Sequence, residues 1–283
     1  GLLRIERVGG VPEKTLPSLR VVVKSEKDKW LPGIIGNKSH HATMPEEKYT
    51  VSSCRDLFID CGFTSKKEAE KKGIIIGCPV TYAPSFKNLE NNKVAGTSID
   101  DRAGCSVILE VANELKKIKN KPTVHVVFST QEEFNLRGVL PMANTLLPDI
   151  AIQVDIMLSS DTPDMKNEGD IELGKGPCMS LYSFHGRGTL NGLIPNQALV
   201  NLFSSTAKKN KINLQRSART GLLTDSSYVQ HIGKGVACID MGFPVRYSHS
   251  QNEVCDLKDL ILLKKLLINS IKNINNKFNF LRK

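Results

Sequence analysis

Lys93–Lys117 reads KVAGTSIDDRAGCSVILEVANELKK. KVAGTSI is a short apolar strand. Beyond it, Val107, Ile108, Val111, Leu115 and Ile118 recur at helical spacing. A strand feeding into an amphipathic helix is half of a βαβ unit, and the pattern continues downstream. TVHVVFST (123–130) reads as a strand, 138–146 as a helix, and DIAIQVDIM (149–157) as a strand. PNQALVNLFSSTAKK (195–209) reads as a helix and VACIDMGF (236–243) as a strand. DLKDLILLKKLLINSIKNI (256–274) is strongly helical. Alternation of this kind implies an α/β catalytic domain over 93–283, with a mostly parallel sheet flanked by helices.

Upstream the pattern differs. LRVVVKS (19–25), LPGIIGN (31–37), DLFIDCGF (56–63) and GIIIGCPVTYA (73–83) are short strand candidates separated by Gly, Pro and Asn. One helix interrupts them, with Ser65 and Glu68 as a capping box and Gly73 as its stop. Residues 1–92 are read as a small β-barrel-like accessory domain.

The composition is that of a globular chain: 40% apolar and 24% charged, which excludes disordered and fibrous classes. No apolar run reaches the length of a spanning helix, so no membrane partner is expected. Seven scattered cysteines, odd in number and without a C-x-x-C, argue for a reducing, cytoplasmic setting. The net charge of +10 comes from dispersed lysines, so no nucleic-acid partner is expected. On the C-terminal helix, Leu260, Ile261, Leu263, Leu266, Leu267 and Ile271 form a core-facing stripe.

Open α/β sheets bind ligands beyond the carboxyl ends of their strands. Four segments deliver acids or a histidine there: Asp100-Asp101, Gln131-Glu132-Glu133, Asp155 and His249. Clustered carboxylates repel one another, and a shared cation relieves that. Carboxylates with one imidazole suit zinc, cobalt or manganese. Two such ions about 3.5–4 Å apart make a hydrolytic site. Adjacent glutamates can diverge, one onto a metal and the other free as a base. Other motifs fail. There is no H-E-x-x-H and no G-x-S-x-G, and in GDIELGKGP (169–177) Gly176 stands where a phosphate loop needs Ser or Thr. His40-His41 read as loop or packing histidines.

Together and in order, GLLRIERVGG, GIIGNKSHH, DLFIDCG, GTSIDDRAG, TQEEFNLRG, PDIAIQVD, SSDTP, LGKGP, TDSSYVQ and PVRYSHSQNE resemble the tetrahedral aminopeptidase family. These are two-metal glutamyl, leucyl and lysyl aminopeptidases, and some relatives carry an endoglucanase name. The resemblance covers essentially the whole chain. It implies that Asp100 bridges two divalent metals, that Glu132 is the general base, and that Glu133 ligates one metal and Asp155 the other. It also implies that His249 shares a metal with Glu133, and that His41 is no ligand. It further implies short peptide substrates, zinc or cobalt or manganese as cofactor, and an accessory domain that helps dimers form and build a dodecamer.

Two departures bear on activity. The family's first metal-binding histidine, with the aspartate two places later, lies in a stretch preceding the accessory domain, and these residues do not include it. Asn135 stands where the family has Gly, a mild change because Asn tolerates a left-handed backbone. The leading expectation is a metal-dependent aminopeptidase. A non-catalytic assembly or peptide-binding subunit is the alternative, and metal-free glycoside hydrolysis a distant third.

Overall fold

The computed structural model describes residues 1–119, 121–186 and 192–281, which form two compact units. The first comprises Gly1–Phe86 with His249–Asn252. Its strands are β1 (Leu3–Arg4), β2 (Arg20–Lys24), β3 (Trp30–Ile35), β4 (Phe58–Asp60) and β5 (Val80–Tyr82), with α1 (Lys66–Lys71) between β4 and β5. They pair antiparallel in the order β1-β4-β3-β2-β5. Alternation on β2 sends Val21 and Val23 inward, where they meet Ile35 of β3 and Ile59 of β4. Ser65 caps α1 by accepting the Glu68 N–H at 3.2 Å. The Glu68 carboxylate reaches back one residue further than expected, to the Thr64 N–H at 2.8 Å. Gly73, at φ +84°, ends the turn. β1 and β5 end the sheet and do not pair with each other among the described residues, so this unit is an open antiparallel sheet and not a closed barrel.

The second unit comprises Lys87–Ser248 and Glu253–Lys283. Its elements are β6 (Phe86–Asn88), β7 (Lys93–Gly96), α2 (Ile99–Leu115), α3 (Val139–Leu146), β8 (Ile150–Leu158), β9 (Cys178–Phe184) and β10 (Gly192–Leu193). Then follow α4 (Gln197–Lys209), β11 (Gln215–Thr220), α5 (Ser226–Val229), β12 (Ala237–Val245), β13 (Glu253–Asp256) and α6 (Leu257–Ile271). The main sheet runs β10-β9-β12-β8, with β11 also beside β9, and a smaller one runs β13-β7-β6.

β12 is buried along its whole length, as a central strand covered on both faces should be. Ile239, Met241 and Phe243 pack with α2, α4 and α6 through Val111, Phe203 and Leu266. Cys238, on the opposite face, packs with Ala143 of α3 and Val229 of α5. Each large side chain buried this way contributes about 1.5–3 kcal/mol.

Ile261, expected in the core-facing stripe of α6, is instead 60% exposed. Two further expectations need correction. The sheet is mixed rather than mostly parallel. β8–β12 and β9–β11 are parallel, while β9–β12 and β9–β10 are antiparallel. The cause lies in the connections. Residues 159–177 form no helix, so the chain returns from β8 without a helical crossover and β9 runs antiparallel to β12. α4 supplies a crossover, and β11 comes back parallel to β9. The second correction concerns TVHVVFST. Residues 121–129 form no strand, and Val124, Val126 and Phe128 stay 37%, 39% and 49% exposed. A strand exists only through pairing, and no described strand lies against this run.

Candidate active site

β7 passes into α2 through Ser98, which takes a left-handed conformation at φ 58°. Asp100 (φ −77°, ψ 108°) and Asp101 (φ −116°, ψ 38°) depart from helical geometry, so the helix starts on a kink that carries both carboxylates. The Asp100 N–H donates to the Glu253 carboxylate at 2.9 Å. Glu253 is itself 2% exposed and pairs with Gly96 across β13–β7. Asp101 folds back over Gly104, where a Cβ would lie 2.3 Å from its Oδ1.

Glu132 and Glu133 sit in an irregular turn whose Gln131, Asn135 and Leu136 have positive φ. Asn135 does adopt the left-handed backbone expected of a position that glycine could fill, at φ 67°. The Leu136 N–H closes the turn onto the Glu132 carbonyl at 2.8 Å. Glu132 is half-buried and Glu133 exposed. Just upstream, Ser129 Oγ donates to Asp225 Oδ2 at 2.6 Å, tying the turn to the start of α5. Asp225 is 2% exposed, and its Oδ1 has no hydrogen-bond partner among the described residues.

Asp155 lies inside β8 and not at its end, since the strand runs on to Leu158. It faces Gly242 in register on β12, and its Oδ1 accepts the Ile156 N–H at 2.7 Å.

Asp100, Asp101, Glu132, Glu133, Asp155 and Asp225 line one cavity of about 1630 Å³. Oxygens of Asp100, Asp101 and Asp155 all lie within 4.8 Å of one another. Crowding shows in the acidities. Burial, then the neighbouring charges of Asp100, Glu132 and Glu133, pushes Asp101 up to about 9. Burial, then Asp225, Glu133 and Asp100, pushes Glu132 up to about 8. Burial with Asp101, Asp100 and Glu132 raises Asp155 well above the ordinary carboxylate range. The donor set fits a divalent cation. Ionised carboxylates act as acceptors only, they converge here, and Asp101 Oδ1 is buried without a hydrogen-bond partner among the described residues.

The second unit therefore gathers four of the five site residues expected from sequence: Asp100, Glu132, Glu133 and Asp155. His249 belongs to the first unit. It is exposed, at φ 63°, and its Nδ1 lies 2.6 Å from the Gly10 carbonyl oxygen. His41 sits in an exposed turn edge-on to His40, 5.7 Å between ring centroids, and joins no metal-ligating group among the described residues. Sequence reasoning placed Asp101 at this edge without giving it a role, and it missed Asp225. The doubled aspartate was a signal for the first, and the motif TDSSYVQ for the second.

A family model described as M42 glutamyl aminopeptidase matches residues 1–266. SgcX of Escherichia coli (strain K12), which carries an aminopeptidase name, is 37% identical over 267 residues, covering 94% of this chain and 71% of its own. An aminopeptidase from the archaeon Desulfurococcus kamchatkensis superposes with a TM-score of 0.89 at 33% identity, covering 98% of this chain and 75% of its own. The TET1 peptidase of Pyrococcus horikoshii, described as able to assemble into a tetrahedron or a large octahedral shell, superposes with a TM-score of 0.83. It is 29% identical, and the match covers 97% of this chain and 78% of that one.

Proposed function

The chain belongs to the M42 glutamyl aminopeptidase family, and on that premise we propose that it is a metal-dependent aminopeptidase removing N-terminal residues from short peptides. The observation that carries the proposal is the convergence of carboxylates in one cavity: three with oxygens within 4.8 Å of one another, and two adjacent glutamates lining the same space.

Asp100 would bridge two divalent cations, zinc, cobalt or manganese. Glu133 would hold one of them with His249, and Asp155 the other. When bound, the ions would supply polarisation of the scissile carbonyl and a water whose pKa is lowered to about 7. Glu132 is the general base. Its carboxylate takes the water's proton and later delivers it to the leaving amine. The carboxylates that line the cavity favour the free ammonium group of a peptide's N-terminus over an internal peptide bond. The Glu253 carboxylate anchors the backbone at Asp100, and Ser129 with Asp225 holds the turn that carries Glu132.

The accessory role of residues 1–92 and self-association, from dimer to dodecamer, form part of the same proposal. Support for assembly comes from TET1 of P. horikoshii. Seven unbridged cysteines favour a cytoplasmic setting. Among the described residues no helix is long and apolar enough to cross a membrane. Metal analysis of the purified chain, with leucyl- and glutamyl-anilide hydrolysis before and after chelation, tests the proposal. Bound divalent metal and chelator-sensitive hydrolysis are expected. Turnover that survives removal of metal would overturn it.

A further inference from the structure

Where α5 packs on β12, the second unit buries a group of polar side chains that the proposed chemistry does not use. Thr224, Asp225 and Ser226 lead into α5, Asp240 stands on β12, and none of the four is more than 8% exposed. Thr224 Oγ1 donates to Asp240 Oδ2 at 2.8 Å, which brings the strand carboxylate to the start of the helix. Asp225 precedes α5 without capping it, and its Oδ2 accepts from Ser129 Oγ at 2.6 Å. Asp225 Oδ1, Asp240 Oδ1 and Ser226 Oγ are left over. All three are buried, and none has a hydrogen-bond partner among the described residues. No lysine, arginine or histidine is among the groups acting on either carboxyl. The Asp225 charge instead pushes the Asp240 carboxyl up, and the Ser226 hydroxyl is close enough to act on the same group. Carboxylates buried without a counter-charge are costly, because a low dielectric penalises the ionised form. Buried charges are therefore paired or coordinate a metal.

We propose that Asp225 Oδ1, Asp240 Oδ1 and Ser226 Oγ hold a hard divalent cation, calcium or magnesium, at a site separate from the acid cluster around Asp100. The donor set decides the class of ligand. It is all oxygen, with neither thiolate nor imidazole, which suits calcium or magnesium better than zinc or copper. Two carboxylates match a double positive charge. Neither Asp225 nor Asp240 belongs to the metal-ligating groups formed around Asp100 among the described residues. The site nevertheless reaches the reaction. Asp225 holds Ser129, at the entry to the turn that carries Glu132 and Glu133, so a cation that fixes Asp225 steadies that turn without touching substrate. The inference does not rest on the proposed peptidase chemistry, since binding alone reads it.

Calorimetric titration of the chelator-stripped chain with calcium chloride, and separately with magnesium chloride, tests the site. The Asp155→Asn chain is titrated beside the unaltered one, because it weakens the hold of the acid cluster. At least one of the two ions should bind both chains, and its binding should slow amide exchange over 224–229 by about tenfold or more. Asp240→Asn keeps an acceptor for the Thr224 hydroxyl but removes a charged ligand, and should weaken binding by about 100-fold. Ser226→Ala exchanges one neutral side chain for another, should weaken binding by about tenfold, and carries the test if Asp240→Asn unfolds. No uptake of either ion by the unaltered chain overturns the proposal, as does binding that survives both substitutions. Uptake that is lost in Asp155→Asn and unchanged in Asp240→Asn puts the ion in the acid cluster and overturns it too. A higher melting temperature for Asp240→Asn, with no uptake by the unaltered chain, assigns the two carboxyls a shared proton in place of a cation and also overturns it.

Discussion

Asp155 and Gly242 stand opposite each other across the parallel pair β8–β12, so close that a Cβ on Gly242 would lie 2.0 Å from the Asp155 carbonyl oxygen. The glycine lets the central strand pass against the backbone that carries a site carboxylate. Gly242→Ala should therefore push β12 away from β8 and cost about 1–3 kcal/mol, the usual penalty of overpacking. Urea unfolding should show a lower midpoint with an unchanged slope. The variant should also bind less zinc, since Asp155 moves with its strand.

Glu253 fixes the backbone at Asp100 from a position that is 2% exposed. Glu253→Ala removes that acceptor and should destabilise the chain by about 1–3 kcal/mol. Glu253→Gln keeps an acceptor oxygen and should lose less. Equal losses in chemical denaturation would mean that packing, not this hydrogen bond, sets the effect.

Arg246 grips Asp161 with two hydrogen bonds, Nε to Oδ1 at 2.7 Å and Nη2 to Oδ2 at 2.6 Å. Burial pushes the Asp161 carboxyl up, but hydrogen bonds from Arg246, Ser159 and Leu173 outweigh it and hold the group down at about 2. The folded value lies below the unfolded one. This stabilisation is therefore complete above about pH 4 and is lost as pH falls toward 2. Asp161→Asn should cost about 2 kcal/mol at pH 7 and flatten the acid limb of the stability profile. Asp240 has the opposite sign. Burial pushes it up to about 6 despite the hydrogen bond that Thr224 Oγ1 donates to its Oδ2 at 2.8 Å, so its contribution weakens folding as pH rises from about 4 to 6. Thermal melts of Asp161→Asn and Asp240→Asn between pH 3 and 8 separate the two effects.

A cation held by the acid cluster binds the folded chain and stabilises it by mass action, about 2.7 kcal/mol at a hundredfold excess over Kd. Zinc should raise the melting temperature, and chelation should reverse the rise. Asp155→Asn should remove most of the increment. A zinc response unchanged in that variant would place the ion elsewhere.

The helices were legible because their signals are local. α2, α4 and α6 show apolar residues at helical spacing. Ser65, Asn196 and Asp256 cap their helices by accepting N–H groups from within the first turn. β11 (QRSART) and β13 (EVCD) were missed. Both are short and polar, and Glu253 and Asp256 are buried on β13 only because partners elsewhere satisfy them. Strand direction was not legible, since it depends on whether a connection forms a crossover. The acids of the site could be read because they follow apolar runs. The part Asp101 plays could not, because it depends on folding back over Gly104, and no spacing rule reports that contact.

The most direct test of the central claim is turnover of a leucyl anilide by Glu132→Gln at matched metal content. With zinc stoichiometry equal to that of the unaltered chain, hydrolysis should fall by about 100-fold or more, the scale expected for removal of a general base. Undiminished turnover at the same stoichiometry would contradict the assignment of Glu132 as base.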